Sequence, residues 1–457
     1  MIADNLLAAR EQMAFTLGFH IILVPFGAAF PTITLIANWR GIARDDAASL
    51  ELARRWSKVM GVLFAVGAVT GTVLSFEMGL LWPGLFGHYG AVVGVPFAIE
   101  GLAFFSEAIF IGIYLYGWNR MSPWTHFWSG IPIAIAGIVG TFSVVAANSW
   151  MNQPAGFKVG PDGKIVDVSP LKGIFNRATA YEVPHMLLAS YMVAGFVVAS
   201  VYAVGMLKGR TDERHRRAFV IAFTVAAIAT PLQIAVGDYA ARAVFHDQPS
   251  KFAAMELTTH SGSHQALHLG GVLIDGKVVG GIPIPDGDSL LAGLSPSTNI
   301  KGLDSIATAY QPPANIVHLA FQLMVTIGFG LLALGLWFGL VWRRRHRAPE
   351  ERWFLRCAAC AGVAAVVALE AGWVTTEVGR QPWIAYRVML TRNAVTQSGG
   401  VWFTFTAIVV LYAGLATATV IALRRMARNW RADGEAQGDR ADDAPYGPRP
   451  NVDRVGT

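Results

Sequence analysis

Nine stretches of roughly 20 to 25 predominantly apolar residues run through this chain, and each is long enough to cross a hydrocarbon layer about 30 Å thick. Inside such a layer every backbone N–H and C=O must find a partner within the chain, which a continuous apolar run of this length achieves as an α-helix. The expected spans are 13–37, 56–80, 94–117, 126–150, 184–207, 218–240, 314–342, 354–376 and 400–424. Charged residues make up 14% of the 457 positions and hydrophobic ones 54%, with a mean hydropathy of +0.45. An ordinary soluble domain is about a quarter charged. A water-soluble globule is excluded, and the fold class is all-α: a polytopic membrane helical bundle of about nine transmembrane helices.

Charge sets the orientation. Alternate connections (38–58, Arg120, 208–217, 343–356 and the segment after 423) hold 24 of the 36 Lys and Arg residues. Short basic connections stay cytoplasmic, which puts the N-terminus outside and the C-terminus inside. The net charge of +6 is therefore a topology determinant for a lipid bilayer, and it points to no nucleic-acid partner. The first apolar run carries His20 in its interior and is too long for the apolar core of a cleaved signal, so it reads as a retained helix. The domain reading is one membrane-embedded bundle over 1–425 and a disordered cytoplasmic tail over 426–457, which lacks apolar periodicity. Two outside loops, 151–183 and 241–313, exceed about 15 residues, and KFAAMELTTHSGSHQALH in the second is the functional candidate. Cys357 and Cys360 lie in an apolar stretch and read as small-residue helix packing rather than a redox pair.

A titratable side chain in the bilayer centre costs from about 3 to more than 10 kcal/mol, so such residues face the bundle interior and mark ion, proton or cofactor sites. Within or at the rim of the spans stand His20, Glu77, Glu100, Glu107, His185, Asp238, His318, Glu370 and Glu377. Most of them fall in the outer half, with His20 about two turns below the outer end. Glu100 and Glu107 are seven residues apart, as are Glu370 and Glu377, so each pair shares a helix face. The first pair, in an otherwise apolar helix, suits proton transfer. For Glu77 and Glu370 a structural hydrogen bond is an equal reading. A His with a Met can hold a six-coordinate haem iron. His185 and Met324 are candidates, although His318 competes and spacing alone does not choose between them. His260, His264 and His268 have the i, i+4, i+8 spacing of a metal stripe on a helix, but no Cys or carboxylate completes it. A solvated loop face is the default there.

Several longer stretches carry a family resemblance: EAGWVTTEVGRQPW at 370–383, TLGFHIILVPFG around His20, EGLAFFSEAIFIGIYLYGW around Glu100 and Glu107, AANSWMNQPAGF around Asn148, and KFAAME at 251–256. Over nearly all of residues 1–425 the chain resembles subunit I of cytochrome bd quinol oxidase, with its short-loop, cyanide-insensitive-like branch nearest. The resemblance implies a terminal oxidase with three haems: low-spin haem b, high-spin haem b, and haem d or a further haem b in its place. His185 and Met324 would hold the low-spin haem b, and His20 and Glu377 the two high-spin haems. Trp373 matches a tryptophan near those haems, and Arg380 would pair with a propionate. Glu100 and Glu107, with Asn148, match positions tied to the oxygen-reducing centre and to proton entry. Lys251 and Glu256 match loop residues implicated in quinol oxidation. Gln322 departs from members that carry Arg near the low-spin haem, which should lower that haem's potential.

The expected reaction follows. Quinol docks at the outer loop, where Lys251 binds a quinol oxygen and Glu256 takes a proton to the outside. Protons for oxygen reduction enter from the cytoplasm past Glu107 and then Glu100. The expected partners are quinol, O2, the bilayer and a second membrane subunit, subunit II, in a bacterial inner membrane. A proton-coupled secondary transporter would also bury Glu and His, but it predicts matching broken helices in two halves. A haem b protein that passes electrons without reducing oxygen is the other alternative; it would lack the red-region band of haem d.

Overall fold

The computed structural model describes residues 2–436 and Tyr446, with side chains for residues 4–431 and Tyr446. Its helices are α1 (Ile2–Ile21), α2 (Val24–Ala28), α3 (Phe30–Ala43), α4 (Ala47–Leu81), α5 (Pro83–Gly117), α6 (Pro123–Asn152), α7 (Pro170–Ile174), α8 (Thr179–Leu207) and α9 (Glu213–Asp247). Then come α10 (Pro249–Glu256), α11 (Gly287–Gly293), α12 (Ala314–Arg345), α13 (Arg352–Gly379), α14 (Thr391–Ala394) and α15 (Val401–Ala436). Among the described residues nine spans are long and apolar enough to cross a membrane, the first being Asp4–Ala43 and the last Val401–Arg431.

The bundle is held by close backbone approach. A Cβ on Gly195 of α8 would lie 2.8 Å from Ala222 O of α9, and one on Gly362 of α13 would meet Val197 Cα of α8 at 2.8 Å. Small residues at such crossings let helices pack where lipid offers no hydrophobic drive between them. The packed residues of α13 include Ala358 and Ala361, while Cys357 and Cys360 are exposed and free. The expected packing role thus belongs to the neighbouring alanines, because 3.6-residue periodicity turns both cysteines outward. Large apolar side chains such as Leu102, Phe105 and Phe403 are exposed on the outer faces, where a bilayer would cover them.

At one end of the bundle the connections are short and capped. Asp46 and Asp212 accept from Ser49 N and His215 N at the starts of α4 and α9. Arg214 pairs with Glu51 at 2.7 Å, Arg217 with Asp46 at 3.3 Å and Arg216 with Glu350 at 2.9 Å, so this basic end is also stitched by ion pairs. The opposite end carries the long connections and the small antiparallel hairpins: β1 (Lys158–Val159) with β2 (Ile165–Val166), β3 (Leu267–Leu269) with β6 (Ile282–Ile284), β4 (Val272–Ile274) with β5 (Lys277–Val279), and β7 (Trp383–Ala385) with β8 (Met389–Leu390).

Four expectations need correction here. The first span is not one continuous helix: it breaks between α1 and α2 and again before α3, where Pro25 and Pro31 supply no N–H to the preceding turn. It also starts earlier than expected, so His20 sits at the end of α1, well inside a 40-residue span rather than two turns from its outer end. The tail is not unstructured from 426 onward. Helix α15 runs to Ala436, with Arg55 over the Trp430 ring at 5.4 Å. The Tyr446 hydroxyl sits 2.8 Å from Asn38 Nδ2 and 2.9 Å from His126 Nδ1. The rest of the expected tail lies outside the described residues. Finally, much of 241–256 is helical, in α9 and α10, because Pro249 starts a new helix one residue after Gln248 ends the previous one.

Candidate functional site

Helices α1, α2, α4, α5 and α6 line a cavity of about 430 Å³ that His20, Glu100 and Glu107 border, with Trp373 of α13 also on its wall. Its remaining lining is mostly apolar, in the size range of small-molecule and cofactor sites. The seven-residue spacing of the two glutamates does place both on the cavity, with Glu107 Oε1 3.7 Å from where a Cβ on Gly27 of α2 would stand. His20 Nδ1 lies 2.8 Å from Thr70 Oγ1, and that hydroxyl donates to Val66 O at 3.1 Å. With the Thr70 proton on its own helix's carbonyl, Thr70 accepts from His20 Nδ1 and the Nε2 lone pair is left for a ligand. Gly71 clears room for the ring, since a Cβ there would come within 3.0 Å of His20 Cε1.

A second cluster of candidate residues lies where α8, α9, α12 and α13 pack together. His185 of α8 stands opposite Gly237 of α9, whose missing Cβ would lie 3.3 Å from the ring. Met324 of α12 stands opposite Gly372 of α13, where a Cβ would be 2.9 Å from the sulfur. His185 Nε2 contacts Gln233 Nε2 at 3.1 Å, while His185 Nδ1 and Gln233 Oε1 are buried without partners. Leaving buried polar atoms unpaired is costly, so this cluster is chemically incomplete as a purely protein site. The donor types here, one imidazole and one thioether, are those that an iron porphyrin takes as a ligand pair. Both ring nitrogens of His318 are engaged, with Met255 O at 2.7 Å and Gly270 O at 3.1 Å.

Between these sites and the long connections runs a buried polar network. Glu377 accepts from Asn148 Nδ2 at 2.5 Å and from Arg380 Nη2 at 2.5 Å. Asn152 Oδ1 accepts from Lys251 Nζ at 2.9 Å and from Arg380 Nη1 at 3.2 Å, and Asn152 Nδ2 donates to Glu182 Oε1 at 2.9 Å. Ser149 donates to the other oxygen of Glu182 at 2.8 Å. Each Glu377 oxygen keeps a second lone pair for a further ligand. Arg380 is buried against Glu377 and Asn152, with only its Nε unpartnered. Glu182 and Asn152 were missed in the sequence. The available signal was weak: Glu182 lies three residues before His185, and Asn152 four after Asn148, so each shares a helix face with a residue already singled out.

Helix α10 separates the two quinol-loop candidates. Five residues apart, Lys251 and Glu256 point about 140° from each other on a helix of 3.6 residues per turn. Lys251 is 2% exposed and reaches inward to Asn152. Burial, with Arg380 adding to it, pushes its ammonium down to about 7. Glu256 is 3% exposed and lies toward the long connection that carries Asp288, where burial and the nearby Asp288 push its carboxyl up to about 8.

The other candidates are placed elsewhere. Glu77 accepts from Gln12 Nε2 at 2.7 Å, Glu370 faces Gly18 of α1, and Asp238 pairs with Arg242 at 2.9 Å on one face of α9. The three-histidine stripe does not form, because the segment is not helical. His260 is 3.5 Å from Asp304, His264 is 2.8 Å from Asp286, and His268 lies in β3. Among the described residues no cluster of His, Cys, Asp and Glu is arranged to hold a metal ion directly. The 379–383 turn acts as a clasp: Gln381 Oε1 accepts from Arg10 at 2.9 Å and Trp383 stacks on Tyr310 at 5.2 Å.

Known proteins resemble this chain in sequence and fold. A protein-family model described as cytochrome bd terminal oxidase subunit I matches residues 8–430. A Bacillus subtilis (strain 168) protein that carries, provisionally, the name cytochrome bd menaquinol oxidase subunit I is 34% identical over 429 residues, covering 92% of this chain and 96% of that one. The cytochrome bd-II ubiquinol oxidase subunit 1 of Escherichia coli (strain K12) is 25% identical over 492 residues, covering 92% of this chain and 96% of its own length. The solved bd oxidase from Geobacillus thermodenitrificans superposes with a TM-score of 0.87 at 35% identity, over 93% of this chain and 99% of that one.

Proposed function

The chain belongs to the cytochrome bd terminal oxidase subunit I family, haem-containing quinol:O2 oxidoreductases of the bacterial inner membrane, and from that premise we propose how its residues divide the reaction. His185 and Met324 hold the low-spin haem b. His20 and Glu377 hold the two high-spin haems, haem b and haem d or a further haem b in its place. When bound, these groups supply one-electron carriage and an open iron position for oxygen reduction to water. The residues around them do the rest. Thr70 fixes the His20 tautomer by accepting from Nδ1. Asn148 and Arg380 orient the Glu377 carboxylate from both sides, and the Arg380 cation balances its charge. Trp373 contributes an aromatic side chain to the cavity wall.

Quinol docks against α10. Glu256 receives a quinol proton and passes it outward, and Lys251, on the other face, ties the quinol side to the Asn152–Arg380–Glu377 network. Glu107 and Glu100, one above the other on α5, carry protons from the cytoplasmic end to the cavity. With the short basic connections cytoplasmic, the N-terminus outside and the C-terminus inside, release and uptake occur at opposite faces. Turnover then separates charge without a pump. The exposed apolar faces accommodate lipid and a second membrane subunit, subunit II, which completes the complex.

The observation that carries this reading is the His20 Nε2 lone pair left free on a cavity that also holds two buried glutamates. A reduced-minus-oxidised spectrum with pigment extraction on the purified complex tests it. Wild type should show the low-spin b signal plus high-spin signals, and His20→Ala should lose one high-spin signal while the low-spin signal stays. A colourless complex, or an unchanged His20→Ala spectrum, defeats the reading. Gly372→Val offers a second check, because its added carbons cannot share space with the Met324 sulfur 2.9 Å away. It should weaken or abolish the low-spin signal and leave the others, and an unaltered low-spin band would mean that Met324 is not a ligand.

A further inference from the structure

On the outer side of α10, the Glu256 carboxyl faces a second buried acid that neither the family resemblance nor the spacing of the sequence brought forward. Asp288, in the first turn of α11, is 0% exposed. One of its oxygens accepts from the Thr258 hydroxyl at 2.6 Å, and its Oδ1 has no partner. Glu256 is likewise buried with its Oε2 unpartnered. Thr258, two residues after Glu256, ties Asp288 to this end of α10, so two largely buried carboxyl groups are neighbours there, each with one buried oxygen that no protein donor satisfies. An unpaired buried carboxylate oxygen costs far more than an exposed one, so the arrangement is stable when a proton, or a hydroxyl-bearing ligand, stands between the two groups. Burial raises the Asp288 carboxyl to about 6, and the charge of Asp288 contributes to the rise at Glu256. The backbone fixes Asp288 in place: its N–H donates to Gln265 O at 3.1 Å, and the neighbouring Ser289 hydroxyl accepts from Gln265 N at 3.0 Å. Lys251 cannot serve as the partner on this side, because its ammonium is turned to Asn152.

We infer that Asp288 is the outward proton relay of the quinol site, taking from Glu256 the proton that quinol has given it. In that step the Glu256 O–H bond breaks and an Asp288 O–H bond forms, with no electrons moved. Glu256 is thereby returned to the carboxylate that the second quinol proton requires, while the two quinol electrons leave by the oxidase reaction itself. Asp288 acts through Glu256 and is a positioning and relay residue, not one that touches quinol. The inference rests on the reading of α10 as the quinol site.

The test uses the whole purified complex with Asp288→Asn, Asp288→Glu and Glu256→Gln, measuring quinol-driven oxygen consumption with kcat and KM separated, in H2O and D2O. Asp288→Asn should lower kcat by about ten-fold or more, the low end of what a positioned proton-transfer group contributes, with KM within about two-fold and a larger solvent isotope effect. Asp288→Glu should recover most of kcat. Wild-type kcat in Asp288→Asn, or a loss that Asp288→Glu does not restore and that carries no isotope effect, overturns the relay. Glu256→Gln separates the two layers. If it leaves quinol turnover intact, the α10 quinol site itself is wrong; if it slows turnover while Asp288→Asn does not, only the relay fails.

Discussion

Replacing His185 with alanine should remove the low-spin haem signal from the purified complex and lower quinol-driven oxygen consumption on the order of 10²-fold or more. Losing even the outer-shell partner of a metal ligand costs about 10- to 100-fold, and His185 is proposed as the ligand itself. His318 is not placed to substitute, because both of its ring nitrogens are engaged with the carbonyls of Met255 and Gly270. Met324→Ala should act in the same direction but less completely, since an imidazole alone can still hold iron in a five-coordinate state. The difference spectrum would then shift toward a high-spin form rather than vanish. Retention of the full low-spin band in both variants would show that the pair opposite Gly237 and Gly372 is not the ligand pair.

The second large effect is expected at Asn152, a residue that ligates nothing. Its side chain accepts from Lys251 and Arg380 and donates to Glu182, so it lies between two buried cations and a buried anion. Asn152→Leu has similar volume but no polar atoms, and it strands those charges. Breaking one partner out of a buried charge cluster costs about 3–5 kcal/mol. The denaturation midpoint of the complex should fall sharply, and the Glu377 side of the site should loosen with it, through Arg380. Ser149→Ala, which removes one hydroxyl from Glu182 and strands no cation, should cost only about 1–3 kcal/mol and serves as the comparison. Equal midpoints for Asn152→Leu and wild type would mean that the network is not what holds this end of the bundle together.

The two effects differ in how far they could be foreseen. His185 stood out because an imidazole inside an apolar run costs too much to be idle. Asn152 did not, since a neutral amide near a helix end costs little until tertiary contacts surround it with charge. Glu182 escaped for a related reason: at the first turn of α8 it reads as an acidic residue at a helix start. Only the approach of α6 and α10 turns it into the buried partner of Ser149 and Asn152. The break in the first span had a visible cause in Pro25 and Pro31, yet proline inside a membrane helix is often tolerated, as Pro96, Pro132, Pro184 and Pro231 show here. The histidine stripe at 260–268 failed because i, i+4 spacing has meaning only on a helix, and that segment is turn and strand.

What the sequence determined by itself is the set of membrane spans, the basic end of the bundle and the shared face of Glu100 and Glu107. All three follow from local rules: the energy of placing a residue in hydrocarbon, the charge of a short connection, and the 3.6-residue turn. The tertiary structure alone decided which histidine is left with a free nitrogen, which glycine faces His185 and which faces Met324, and which buried acid stands beside Glu256. Those outcomes depend on groups hundreds of residues apart competing for the same hydrogen bonds. Asn148 and Glu377, for example, are joined across 229 positions, and no local pattern carries the result of such a competition.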